Sequence, residues 1–432
     1  MQVMLLLFLC CCSALISHSY GDDAAFRQAN VNVENTGPTH IFMEGMSSLN
    51  FRTDVVKGRR MHLDYVHEVI FVIKQKNMDE LSTILDDLSD PYSPNYGQHW
   101  TRERVADFTV NPESHDITVT HLKSFGAVVT SDSLSGEFVT AKASIAVWET
   151  MLNTRFHTFY QTKWDKSVTQ VVRATEYYIP IALHSHVEGA LNTIEMPIMS
   201  RRGTKQSSKS LRKRSLAEAD EPFNLTPPKF LAYYNMTGVR GSNFSTQAVY
   251  EPTNQYYSPT DLSTFQARYG ITPHPLDFDI GGHLNARLCD EMTVSCTEGN
   301  ADLQYMTSIS QGSPTTIWVS PFPFSYFLSL VGRSKNRPLV ISFSYGFDEP
   351  SVGATELWAF NTQAIKLGII GTTIVAGAGD DGASSPFGCG YIPLFPASSP
   401  YVVTVGATEV SSYMLNIIRN ILQWHKSFLT IH

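Results

Sequence analysis

At 432 residues, with 43% hydrophobic and 17% charged side chains, the chain has material for more than one packed core and lacks the composition of a disordered polymer. A formal net charge of -8 at pH 7 argues against a nucleic-acid partner, because nothing here would neutralise a phosphate backbone. Past the N-terminus no run reaches the roughly 18 apolar residues of a transmembrane helix, so no membrane span is expected.

Residues 4–16 form an apolar run that includes Leu5, Leu6, Leu7, Phe8 and Leu9, followed by Ser17, Ser19 and Gly21. That is the order of a secretory signal peptide, although no basic side chain precedes it, and the run is too short to anchor comfortably in a bilayer. Residues 1–21 are therefore expected to be removed near Gly21. A soluble product is expected to follow the secretory pathway to the lysosome or the extracellular space.

Residues 40–197 mix strands and helices. Residues 68–74 are β-rich, residues 78–88 have helical spacing of apolar side chains, and residues 90–97 are dense in turn formers. Thr101 is placed to cap a helix over 101–108; further strands are expected at 127–130 and 137–141, and a helix over 145–152. The pattern reads as an open α+β layer without chemistry of its own.

Residues 198–225 are polar and basic, with Arg201-Arg202 and Arg212-Lys213-Arg214 and almost no large apolar side chain. Such composition does not bury enough surface to offset ordering, so this is read as a linker. Its basic cluster suits a processing cut after about Arg214 and before Thr226. Sequons at Asn224, Asn235 and Asn243 suggest a glycosylated surface in an exported chain.

Beyond Thr226 short runs rich in Val, Ile and Thr, at 315–319, 338–343, 371–376 and 401–405, alternate with helical segments such as 355–367. Nearly continuous apolar strands in that alternation indicate an α/β region built on a buried parallel sheet. Functional groups of such sheets gather at the carboxyl ends of the strands, where Gly377-Ala378-Gly379-Asp380-Asp381-Gly382 falls. Asp380 there can donate a hydrogen bond to an oxyanion if it stays protonated, or else cap a turn or bind a structural cation. Glu298 and Asp302, four apart, project from one face of a helix if the segment is helical. Two carboxyls so placed share a proton and can serve as a general base in acid, though most such pairs are a solvated helix face.

Once Cys10, Cys11 and Cys12 leave with the signal, Cys289, Cys296 and Cys389 remain. Cys289 and Cys296 are close enough for a small disulfide loop, and no His or Cys cluster surrounds them at zinc spacing. Cys389 is left over and its partner is not evident.

The motifs in order resemble the sedolisin family of serine-carboxyl peptidases. Residues 90–99 with 101–108 resemble the family's activation domain, and 255–262 with 264–270 the start of its catalytic domain. Glu298-Gly299-Asn300-Ala301-Asp302, residues 341–346, Gly379-Asp380-Asp381-Gly382 and residues 395–401 then follow in the family's order. The resemblance runs from about residue 40 to 408. It implies a subtilisin-like parallel sheet, incomplete here over 226–409, preceded by a ferredoxin-like α+β activation prodomain over 40–197. It implies Glu298 as general base, Asp302 as its orienter and Asp380 as a protonated oxyanion donor, with removal of N-terminal tripeptides or endopeptidase cleavage as the activity.

The family's nucleophile belongs to a Gly-Thr-Ser-x-Ser motif that does not occur here; Gly371-Thr372-Thr373 is the nearest approach and lacks the serine. Residues 410–432 no longer resemble the family, and its calcium site belongs to the segment missing from this chain. No cofactor or metal is therefore expected within these residues, and the chain as it stands is expected not to hydrolyse peptides. Its expected partners are a peptide or protein substrate and its own prodomain. The alternative is an inhibitory or chaperone-like activation-domain protein carrying a dead catalytic remnant.

Overall fold

The computed structural model describes residues 39–46, 55–132, 136–162, 168–196, 225–291, 293–380 and 391–407. The signal run, the linker with Arg214 and Asn224, Cys389 and the tail from residue 408 lie outside the described residues.

The first part runs β1 (His40–Gly45), β2 (Val55–Arg60), β3 (Val66–Ile73), α1 (Met78–Ser89), α2 (Arg102–Thr109), α3 (Pro112–Ser124), β4 (Val128–Asp132) and β5 (Phe138–Ser144). It continues with α4 (Ile145–Met151), β6 (Phe156–Thr162), β7 (Val168–Ala174), β8 (Glu176–Pro180), α5 (Ile181–His184) and β9 (Val187–Leu191). Thr101 caps α2 as its sequence position suggested, its hydroxyl accepting from Arg104 N at 3.2 Å. Asn111 does the same for α3, accepting from Ser114 N at 3.3 Å ahead of Pro112 in the first turn.

The main sheet has the order β4-β5-β3-β9 with every neighbouring pair antiparallel. Counting these strands in chain order from β3, the spatial order is 4-1-3-2, the ferredoxin-like split βαβ arrangement. Strands β1 and β8 pair separately, and β2, β6 and β7 form a third sheet.

In β3 the side chains of Val69, Phe71 and Ile73 face one core with Trp148 and Leu122, while Ile70 and Val72 face the opposite way. Both faces are covered, so the sequence reads as an unbroken apolar run rather than an alternation.

The second part runs α6 (Pro227–Tyr233), β10 (Gln247–Pro252), α7 (Pro259–Arg268), β11 (Phe278–Ile280), α8 (Ala286–Glu291), α9 (Thr293–Ile309), β12 (Thr315–Ser320) and α10 (Phe324–Arg333). Then come β13 (Val340–Phe343), β14 (Phe347–Asp348), α11 (Ala354–Ile369), β15 (Thr373–Gly377), β16 (Leu394–Phe395) and β17 (Val403–Val405). Six of these strands form a fully parallel sheet in the order β11-β12-β10-β13-β15-β17. The fold is thus α/β with a parallel sheet behind an α+β layer. Strand β10 was not among the runs singled out from sequence, because Gln247 and Glu251 bracket its apolar centre.

The two faces of this sheet carry different helices. Tyr250, Ile341, Phe343, Ile374 and Ala376 pack under α10 and α11. Val249 and Ile317 pack against Leu262 of α7 and Leu303 of α9 on the other side. Connections β12-α10-β13 and β13-α11-β15 move one way along the sheet on one face, and β10-α7-β11 moves the other way on the opposite face, so all three share one hand. Connection β11-α9-β12 moves with the first two but carries its helix on the second face, which reverses its hand. Because such crossovers are right-handed in about 98% of cases, α9 sits in the rare left-handed one.

The first part docks on α10 and α11. Ile70, Val72, Phe138 and Leu191 of its sheet meet Ala359, Tyr326 and Trp358, with the Phe138 and Tyr326 rings edge-to-face at 5.9 Å. Leu81 and Leu88 of α1 join the core that contains Ile365 and Leu367. At the start of α11, Glu44 accepts from both the backbone N and the hydroxyl of Thr355. Strand β9 passes so close that a Cβ on Gly189 would run into Thr355.

Candidate active site

The site grows from the period of two in the strands and the period of 3.6 in α9. Val249 faces α9, so Glu251 two residues on faces it as well; Ser342 pairs with Val249 in register, so Ser344 follows onto the same side. On α9, Glu298 and Asp302 stand one turn apart on one face. Ser344 Oγ donates to Asp302 Oδ2 at 2.6 Å, and Tyr345 Oη donates to Glu251 Oε2 at 2.7 Å.

Three carboxyls therefore converge between α9 and the carboxyl ends of β10 and β13, and their electrostatics agree. Burial first, then the charges of Asp302 and Asp380, push Glu298 up to about 7. Burial lifts Asp302 to about 6 against the Ser344 hydrogen bond, which favours the ionised form. Glu251 is fully buried, and burial followed by Asp302 drives its carboxyl well above the ordinary range. Among the described residues its Oε1 has no hydrogen-bond partner and its Oε2 has only Tyr345.

Asp380 stands three residues past the end of β15 and is exposed, with the backbone of that turn tied to β17 by Ala378 N donating to Val405 O at 2.9 Å. It lies within electrostatic reach of Glu298. The structure thus brings Glu298, Asp302 and Asp380 to one end of the parallel sheet. Glu251 and Tyr345 complete the group and were not singled out from sequence. The available signal was Glu251 itself, a carboxylate closing the buried run of Ala248, Val249 and Tyr250.

Cys289 and Cys296 are bonded, with Cα atoms 5.5 Å apart, and join α8 to α9 two residues before Glu298. Asn235 and Asn243 are exposed. Among the described residues no group of three or more His, Cys, Asp or Glu side chains is disposed to hold a metal ion, and no helix is long and apolar enough to cross a membrane.

Residues 53–195 match the family described as pro-kumamolisin, activation domain. Over 365 residues the chain is 29% identical to tripeptidyl-peptidase 1 of Homo sapiens, covering 78% of this chain and 61% of the human one. It is 30% identical over 366 residues to the Pan troglodytes protein, with the same coverage.

The chain is similar to the sedolisin family.

It is also 28% identical over 372 residues to tripeptidyl-peptidase 1 of Rattus norvegicus, covering 80% of this chain and 62% of that one. The chain therefore spans about three-fifths of the length of the relatives it matches. Among solved structures, Pseudomonas sedolisin, a serine-carboxyl proteinase, is similar at 19% identity and a TM-score of 0.36, over 44% of this chain and 55% of that one.

Proposed function

We propose that the chain is the precursor of an acid-acting serine-carboxyl peptidase, a tripeptidyl-peptidase or endopeptidase, in which Glu298 is the general base, Asp302 its orienter and Asp380 the oxyanion donor. The observation that carries this reading is the Glu298–Asp302 pair, one turn apart and facing Glu251, Ser344 and Asp380 at the carboxyl end of the sheet. In this reading Glu298 accepts a proton from an attacking hydroxyl and returns it to the leaving amine. Asp380 donates to the oxyanion that forms, a role open to a carboxyl only while protonated, hence in acid.

The same electrostatics bear on what residues 1–432 do by themselves. A base must be ionised, yet Glu298 is held near 7 and stays protonated in acid. A hydroxyl donating to it would favour its ionised form, as Ser344 does for Asp302. Among the described residues no hydroxyl donates to Glu298, and that of Ser344 is engaged by Asp302. We therefore read these residues as the acid–base half of the site, without turnover of their own.

Export through the secretory pathway to the lysosome or the extracellular space, glycosylation at Asn224, Asn235 and Asn243, and a processing cut near Arg214 complete the proposal. An inhibitor of a full-length relative is the weaker reading, because the docking face of the first part is already filled by the chain's own α10 and α11.

The test expresses residues 1–432 and a product that continues the family sequence past residue 410 through Gly-Thr-Ser. Both are assayed at acidic pH on a tripeptidyl substrate and on an unfolded protein. The expected result is background release from the first and turnover, abolished by Glu298→Gln, from the second. Glu298-dependent turnover by residues 1–432 would overturn the claim of inactivity. A longer product indifferent to Glu298→Gln would overturn the site.

A further inference from the structure

A second set of contacts occupies the opposite face of α9. Asn300 lies between Glu298 and Asp302 in sequence, two residues from each, which in a helix turns it away from both. Its Oδ1 accepts from Ser258 N at 2.8 Å and its Nδ2 donates to Asp261 Oδ2 at 3.1 Å. Ser258 is the N-cap of α7, its hydroxyl accepting from Asp261 N at 3.1 Å. The amide thus grips two residues of one capped helix start.

Two neighbouring contacts act on the same segment. Tyr256 N donates to Ser295 O at 2.8 Å. A Cβ on Gly299 would stand 2.5 Å from Tyr256 O, so α9 approaches this backbone as closely as it does because position 299 carries no side chain.

The apolar packing of α9, through Leu303 and Met306, is non-directional and tolerates small slides along the helix axis. A slide of one residue is about 1.5 Å and rotates the helix by about 100°. That motion would carry Asp302 away from Ser344 and Glu298 out of its carboxyl cluster. Directional contacts on the far face therefore fix what the apolar contacts leave free.

We infer that Asn300 is a positioning residue of this site: by clasping Ser258 and Asp261 across the close approach at Gly299, it sets the register of α9 and so the place of Glu298 and Asp302 against Ser344 and Glu251. The inference rests on reading Glu298 and Asp302 as the acid–base pair. Asn300 touches none of the reacting groups and acts through the helix that carries them.

The test is a carboxyl titration followed by 13C NMR on the 432-residue chain, with Glu298→Gln to assign the Glu298 signal. Among the described residues Asp302, Asp380 and Glu251 are the charged groups that face Glu298, and none of them is altered. The unsubstituted chain is expected to titrate at Glu298 near 7. In Asn300→Ala the midpoint is expected to fall by about one unit or more as the helix shifts and water reaches the carboxyl. Asp261→Ala, which breaks the clasp from the α7 side, is expected to lower it in the same direction. The exchange Asp261→Asn with Asn300→Asp restores one donor and one acceptor and should return the midpoint.

A folded Asn300→Ala or Asp261→Ala chain with the midpoint unmoved would overturn the clasp, since a merely stabilising contact changes the melting temperature alone. Failure of the exchange to rescue would overturn it as well. An unsubstituted midpoint in the ordinary carboxylate range removes the acid–base reading, and the clasp with it.

Discussion

Tyr345 Oη donates to Glu251 at 2.7 Å, and that carboxyl is held protonated by burial first and then by the charges of Asp302 and Glu298. Through that contact the carboxyl end of β13 is bonded to a buried acid at the end of β10, behind the pair on α9. Removing the hydroxyl with Tyr345→Phe leaves both oxygens of a fully buried carboxyl without a hydrogen bond from any described residue. A loss of about 1–3 kcal/mol is expected from urea unfolding, and Tyr345→Phe combined with Glu251→Leu should recover much of it.

Stability should depend on pH through the raised carboxyls. Glu298 is held near 7, Asp302 near 6, Glu195 near 7 and Glu356 near 8, each chiefly by burial. All four have folded values above their unfolded ones, so the fold favours the protonated forms. This contribution is complete below about pH 4 and is lost as the pH rises through 6 to 8. Melting temperature is therefore expected to be higher at pH 4.5 than at pH 8. Glu356→Gln should flatten that dependence at its alkaline end.

The disulfide between Cys289 and Cys296 should steady the start of α9. In the chain-entropy account, a loop this short is worth about 2 kcal/mol. Replacing both cysteines by serine is expected to lower the melting temperature and speed amide exchange over residues 293–300. Reductant should reproduce the effect in the unsubstituted chain and leave the double variant unchanged.

The seam between the two parts should open from its centre. Phe138 is 1% exposed and its ring abuts Tyr326 of α10. Phe138→Ala is expected to cost about 3–5 kcal/mol and to speed amide exchange in α10. An equal cost with α10 unaffected would mean that Phe138 serves only its own sheet.

Asn235 and Asn243 are exposed and carry intact sequons. Expression through a secretory route should add a glycan at each, seen as a mass shift removed by deglycosylation and reduced stepwise by Asn235→Gln and Asn243→Gln.

Much of this was legible in the sequence wherever one residue's neighbours in the chain decide its structure. Thr101 caps a helix because its own hydroxyl reaches Arg104 N, and residues 315–319 are a strand because a buried parallel strand is apolar throughout. Glu298 and Asp302 were legible as a pair because helical spacing alone brings them together. Glu251 was not, since its role depends on β10 lying between β12 and β13, a pairing made across about 70 and 90 residues of chain. The reversed crossover that carries α9 was equally hidden, because handedness leaves no mark in composition or periodicity. Nothing in its sequence neighbours marks Asn300, because its partners Ser258 and Asp261 lie 42 and 39 residues away in the chain.

The central claim is that Glu298 and Asp302 form a proton-holding acid pair rather than a solvated helix face. The direct measurement is the pH titration of the Glu298 carboxyl by 13C NMR in the folded chain, repeated after Asp302→Asn. A midpoint near 7 that falls on removing the Asp302 charge is the expected result. A midpoint near the ordinary glutamate value of about 4.3, unmoved by Asp302→Asn, would contradict it.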